Sequence, residues 1–191
     1  MIYALLDKDT LLKRKVSLEE IAKKIELLSI PIAQYRNKSG SLDEKKSDLI
    51  TIKKYFGGKL IINDTIELIE FADGLHVGQE DIREFNVDLN RAVKIIRDKI
   101  GDRSLGLSTH NYREIIEANG LDLDYIGLGA YRSTSTKKDV KVLGKNALRL
   151  AKYSKHPVAL IGGVRLDDKF GEEIKYIVVG SDLLKFFKIK F

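Results

Sequence analysis

The chain has no cysteine, no tryptophan and only two prolines. It also has no apolar run approaching the roughly 18 residues of a membrane span. Without cysteine there are neither disulfides nor cysteine-ligated zinc. That composition suits a reducing cytoplasm, where we place the protein, and no membrane partner is expected. With so few prolines and no long Ser/Gly-rich stretch, nothing marks a linker. The 191 residues therefore read as one domain spanning 1–191, long enough for a real core. The opening MIYALLDKDT has no basic leader and places an acid right after a short apolar run. It reads as a first strand rather than a signal peptide.

Charge of a single sign is missing too. Lys and Arg number 34 against 28 Asp and Glu, a formal net charge of +6. Such a balance suits anionic ligands. The lysines alternate with acids, as in EEIAKKIE and LDEKKSD, which is the pattern of solvated helix faces. A nucleic-acid surface would more often show a basic block with interleaved aromatics. We expect no nucleic-acid partner and small anionic molecules instead, with a homo-oligomer left open.

What the chain does contain is a regular alternation. Short apolar runs begin at Ile2, Ile30, Lys59, Gly74, Ser104, Tyr125, Pro157 and Tyr176. Runs this short, bounded by turn residues, read as strands buried on both faces. Helical patterns separate most of them. In SLEEIAKKIELL, Ser17 and Glu20 form a capping box, and Leu18, Ile21, Ala22, Ile25 and Leu28 repeat at helical spacing. The runs from Ser41 to the Gly57-Gly58 stop, NVDLNRAVKIIRDKIG, NYREIIEANG and VKVLGKNALRLAKYS are similar. TIELIEFA and LDDKFGEE allow only about two helical turns each. DLLKFFKIKF reads as a short terminal helix or tail. Eight such units favour an α/β fold, a compact (βα)₈ TIM barrel with some helices shortened. The rival is a doubly wound open sheet.

Each apolar run ends in polar or glycine residues, and in a barrel these ends share one rim. Gln34, Arg36 and Lys38 alternate, so they share a face if the strand persists. Glutamine can hydrogen-bond a heterocycle, and Arg and Lys can hold phosphate. Asp64 and Asp81 follow different strands; converging near a phosphate they would suit Mg²⁺, with Asn63 fixing ligand geometry beside them. The plain alternative for Asp64 is an N-cap. The loop 133–139, STSTKKD, offers hydroxyls, and its Lys137 can neutralise developing negative charge. Gly162-Gly163 and Gly180-Ser181 close the last two strands, where barrels often bind phosphate. Among the three histidines, His156 precedes Pro157 in a bottom loop and His76 reads as a packed core residue. His110, ending a strand beside Ser108, is the candidate for acid–base work, with a ligand-orienting role equally open.

In order and wording these segments resemble the thiamine phosphate synthase family and its sister branch, the thiazole tautomerases. The resemblance spans nearly the whole chain through AQYRNK, LIIND, ADGLHVGQEDI, GLSTHN, DYIGLGAYRSTSTKKD, VALIGGV and VVGSDL. The runs 72–82 and 124–139 are the specific ones. The resemblance implies coupling of hydroxymethylpyrimidine pyrophosphate to thiazole phosphate with release of pyrophosphate. It implies that Gln34 contacts the pyrimidine and that Ser108 lies near its reacting part. Arg36, Lys38, Asn63 and Lys137 would hold the pyrophosphate, and Asp64 and Asp81 would hold Mg²⁺. Thr134 and Thr136 would line the thiazole phosphate site, completed by backbone around Gly163 and Ser181.

Two departures stand out. The family usually continues Asn-Asp with Arg, where this chain has Thr65. Arg132 or Lys138 would then have to supply the missing cation. The helix after Lys38 and the stretch between the last two strands also look shortened. The sister tautomerase shares the fold and the histidine after the fifth strand but needs no pyrophosphate-bound metal. Gln34, Asp64, Asp81 and the STSTKKD loop favour the synthase over it. A non-catalytic thiazole-phosphate-binding or regulatory relative is the third reading.

Overall fold

The computed structural model describes residues 1–133 and 141–186. Eight parallel strands close into a barrel in chain order. They are β1 (Ile2–Asp7), β2 (Ile32–Arg36), β3 (Lys59–Asn63), β4 (Gly74–Val77), β5 (Ser104–Thr109), β6 (Tyr125–Leu128), β7 (Val158–Leu160) and β8 (Tyr176–Val179). Closure comes where β1 pairs with β8, Ile2 opposite Ile177, and it excludes the open-sheet alternative.

The helices are α1 (Lys8–Lys13), α2 (Leu18–Leu27), α3 (Leu42–Tyr55), α4 (Asp81–Phe85), α5 (Leu89–Ile100), α6 (Tyr112–Ala118) and α7 (Asn146–Ala151). Ser17 caps α2 through the expected capping box with Glu20, an arrangement worth about 1 kcal/mol. Ser41, Asp88 and Asn111 cap α3, α5 and α6 by accepting from backbone N–H groups. Among the described residues, no helix is long and apolar enough to cross a membrane.

The sequence pattern misses two short helices. Asp7 ends β1 and at once caps α1 by accepting from Thr10 N, so the acid that closes the first apolar run also starts a helix. The acids at Glu80 and Asp81 open α4. Three expected helices shrink. The run 66–71 is a 3₁₀ segment, and the β7–β8 connection holds turns rather than two helical turns. Among the described residues of VKVLGKNALRLAKYS, helix covers only Asn146–Ala151. The tail begins as a 3₁₀ turn, Leu183–Phe186.

Strand alternation builds two apolar layers. Outward residues such as Leu6, Tyr35, Leu60, Leu75, Leu105 and Ile126 pack against the helices. Inward residues Tyr3, Ile32, Ile61, Tyr125, Ala159 and Val178 fill the barrel. A Cβ at Gly106 would overlap the Tyr125 ring, and one at Gly127 would lie 3.0 Å from His76 Cε1. The two glycines leave room inside the barrel for an aromatic and a histidine.

Candidate active site

A cavity opens over the C-terminal ends of the strands. It is lined by Gln34, Arg36, Lys38, Asn63, Asp64, Asp81, Ser108, His110, Gly163 and Ser181, among others. Gln34, Arg36 and Lys38 all face it, as their alternation along β2 implies, although the strand ends at Arg36. Thr134, Thr136 and Lys137 lie outside the described residues.

One side of the cavity is a charge cluster. Lys38 Nζ stands 3.1 Å from Asp64 Oδ2 and 3.9 Å from Asp81 Oδ1. Asp64 does not cap a helix: its Oδ1 accepts from Gly78 N at 3.2 Å, and the following 3₁₀ segment has no side-chain cap. Its backbone is left-handed, with φ 60°, a conformation Asp tolerates better than most residues. Burial, and then the charge of Asp81, push the Asp64 carboxyl above its ordinary value, while Lys38 opposes them. Two carboxylates crowded this way fit a hard divalent cation, which would relieve their repulsion. Among the described residues no three His, Cys, Asp or Glu gather into a metal cage. Mg²⁺ needs none, because it is held by one or two carboxylates together with substrate phosphates.

Arg36 Nη1 pairs with Asp7 Oδ2 beside this cluster. Asn63 Nδ2 donates to the His76 carbonyl at 3.3 Å, which ties the end of β3 to β4. Thr65 is buried, and its Oγ1 accepts from Lys45 Nζ of α3 at 3.2 Å. The expected stand-in for the missing cation, Arg132, is committed elsewhere. It forks onto Asp168 at 2.6 and 2.8 Å and donates to Gly163 O at 2.9 Å. The hydrogen bond from Arg132 holds the Asp168 carboxyl below its ordinary value, so the pair stays ionised. Lys138 lies outside the described residues.

Across the cavity Gly162 and Gly163 adopt φ 90° and 64°. A Cβ at Gly162 would stand 2.7 Å from Ala130 Cα, so the turn admits no side chain and leaves backbone open to the cavity. His110 sits at the rim with Nδ1 3.0 Å from Glu114 Oε2, and its own N–H donates to the same oxygen at 2.8 Å.

The floor was not legible beforehand. His76 is indeed buried, but it is bonded at both ring nitrogens, to Tyr125 OH at 3.1 Å and Ser108 Oγ at 2.9 Å. Burial drops its pKa from 6.5 to about 4. Tyr125 OH meets Tyr3 OH at 2.9 Å, and Gln34 Nε2 donates to Tyr3 OH at 3.2 Å. The available signal was the placing of Tyr3, His76 and Tyr125 at inward strand positions, with glycines opposite the bulky pair.

The chain as a whole is similar to known proteins. The family model described as thiamine monophosphate synthase matches residues 2–170. Thiamine-phosphate synthase of Clostridium botulinum is 34% identical over 96% of this chain and 85% of its own length. The Methanosarcina mazei thiamine-phosphate synthase is 35% identical over 84% of this chain, which spans 65% of that protein. Among solved structures, thiamine phosphate pyrophosphorylase from Pyrococcus furiosus superposes with a TM-score of 0.74 at 21% identity, covering 94% of this chain and 85% of that one. That superposition speaks for the barrel alone. The family model over nearly nine-tenths of the chain, with relatives above 30% identity, places this chain in the thiamine monophosphate synthase family.

Proposed function

We propose that this cavity couples hydroxymethylpyrimidine pyrophosphate with thiazole phosphate, giving thiamine phosphate and pyrophosphate. The observation that carries the reading is the division of one cavity into three parts. A neutral hydrogen-bonding floor lies at Gln34 and Ser108. A charged wall holds Lys38, Asp64 and Asp81, and a glycine turn at Gly162-Gly163 faces it. These suit, in turn, a pyrimidine, a pyrophosphate and a second phosphate.

Departure of pyrophosphate leaves a pyrimidine methylene cation, which the thiazole nitrogen attacks. Little covalent work falls to the protein, so its task is orientation and charge placement. Gln34 and Ser108 hold the heterocycle on the barrel floor. Lys38, Asn63 and Arg36 hold the pyrophosphate, and Lys137 meets the charge that grows on it as the bond breaks. Asp64 and Asp81 would hold Mg²⁺, which when bound would supply positive charge against the leaving group. Gly163 and Ser181 offer backbone to the thiazole phosphate, and the hydroxyls of Thr134 and Thr136, outside the described residues, are the expected further donors to it. His110, engaged by Glu114, orients rather than transfers a proton.

A coupling assay tests the reading. Purified protein, Mg²⁺ and both substrates are mixed, and thiamine phosphate is detected after oxidation to fluorescent thiochrome. Metal-dependent product supports the synthase. Absence of product, with thiazole phosphate still binding by calorimetry, would move the assignment to the tautomerase or a non-catalytic relative.

A further inference from the structure

The interior of a barrel of this kind is usually packed with branched aliphatic side chains. Here, beside the partly buried Tyr176, it holds two buried phenols and an imidazole, at 1% exposure for Tyr3, 3% for Tyr125 and 8% for His76. Burying polar groups costs free energy unless each is hydrogen-bonded. In this barrel they are bonded to one another, in a single line. Gln34 Nε2 to Tyr3 OH spans 3.2 Å, Tyr3 OH to Tyr125 OH 2.9 Å, Tyr125 OH to His76 Nδ1 3.1 Å, and His76 Nε2 to Ser108 Oγ 2.9 Å. The five residues come from five strands, and both ends of the line face the cavity.

With Gln34 Nε2 turned to Tyr3 OH, counting hydrogens gives this line a direction. Each phenol has one hydrogen, and a neutral imidazole has one N–H and one lone pair. Both His76 nitrogens face hydroxyls and neither faces a carboxylate, so the ring is neutral. Gln34 donates to Tyr3. Tyr3 then gives its hydrogen to Tyr125, and Tyr125 gives its own to His76 Nδ1. The His76 proton therefore sits on Nε2 and goes to Ser108 Oγ. Ser108 is left with its own hydrogen for the cavity, and Gln34 with its Oε1. In the reverse direction the Tyr3 hydrogen would point at the Gln34 amide N–H.

We propose that Tyr3, Tyr125 and His76 are positioning residues, a hydrogen-bond wire that couples Gln34 to Ser108. The wire makes the first present an acceptor and the second a donor to one edge of a nitrogen heterocycle. The matching edge has an amine beside an unprotonated ring nitrogen, the edge of an aminopyrimidine. An oxo-pyrimidine, with N–H beside C=O, meets the opposite polarity and fits only if the Gln34 amide and every hydrogen in the line reverse together. The choice of aminopyrimidine rests on the proposed function; the direction of the wire does not.

The first test therefore needs no activity. Nitrogen-15 NMR of the free protein, with His110→Asn and His156→Asn to assign the signals, should show His76 as the neutral Nε2–H tautomer. Tyr125→Phe removes the donor to Nδ1 and should shift that ring toward a tautomer mixture. A wild-type Nδ1–H tautomer, or a spectrum unmoved by Tyr125→Phe, would overturn the wire. The second test uses turnover. Tyr125→Phe should raise KM for the pyrimidine pyrophosphate about tenfold, the scale of one lost hydrogen bond, and leave KM for thiazole phosphate unchanged. In a Ser108→Ala background the same substitution should add little. Full additivity of the two changes would refute coupling through Ser108. Thermal melting checks the fold, and Tyr3→Phe cuts the line one link away if Tyr125→Phe does not fold. A protein with no coupling activity but with the Nε2–H tautomer would remove the proposed function and leave the wire standing.

Discussion

Lys38 Nζ sits 3.1 Å from Asp64 Oδ2, so a half-exposed lysine from the end of β2 neutralises a largely buried carboxylate that follows β3. This contact partly offsets a repulsion. Asp81 raises the Asp64 pKa, and Lys38 lowers it by less than burial and Asp81 together raise it. Charge at Asp64 is therefore unfavourable in the folded protein.

That imbalance separates stability from activity. Asp64→Asn removes the crowded charge, so its melting temperature without Mg²⁺ at pH 7 should equal or exceed wild type. Its coupling rate should fall about 10²–10³-fold, the scale of losing one preorganised electrostatic group. Asp81→Asn should lose a similar factor. Calorimetry and the thiochrome assay on one preparation measure both quantities. Wild-type rates in both variants would remove the metal assignment.

His110→Ala should be mild. Its Nδ1 and backbone N–H are both tied to Glu114 Oε2, which orients the ring at the cavity rim. A synthase reaction calls for no proton transfer there, so we expect kcat within about fivefold of wild type, a cost near 1 kcal/mol. A tautomerase would need that ring as acid or base and would lose far more. Assaying both activities in the one variant separates the branches.

Lys137→Ala should lower kcat while leaving KM for thiazole phosphate nearly unchanged. Negative charge grows on the departing pyrophosphate only as the bond breaks, so the lysine's contribution belongs to the transition state. A variant altered in KM alone would place Lys137 in ground-state binding instead.

Much of this site could be read from periodicity. Eight short apolar runs fixed where the strands would lie, and the polar residue ending each run then fell on one rim. Gln34 and Arg36 reached the cavity because their spacing of two is a property of strands, while Lys38 reaches it from just past the end of β2. Partner choice was not readable. Nothing local to Arg132 says that its guanidinium will meet Asp168, 36 residues away, or that Lys45 of α3 will find Thr65. Those contacts depend on how far apart the barrel sets its loops. The β7–β8 connection failed for a different reason. LDDKFGEE has a turn-forming Asp pair and a glycine where a helix needs an apolar stripe, and turns prevailed.

The buried floor predicts an acid limit to stability. His76 titrates near 6.5 when unfolded but is held neutral down to about pH 4 in the fold, chiefly because it is buried; Asp81 opposes that shift and His110 adds to it. Between those values the unfolded chain binds a proton that the native chain refuses, so stability rises with pH there. The contribution is complete above about pH 6.5 and lost progressively on acidification to about 4, amounting to about 3 kcal/mol. Chemical denaturation of wild type and His76→Gln from pH 4 to 8 measures it. Carboxylates common to both proteins cancel in the difference. The wild type should lose up to about 1.4 kcal/mol more per pH unit than the variant across that window. Parallel curves would mean that His76 accepts a proton in the native state, and the neutral floor beneath Gln34 and Ser108 would have to be abandoned.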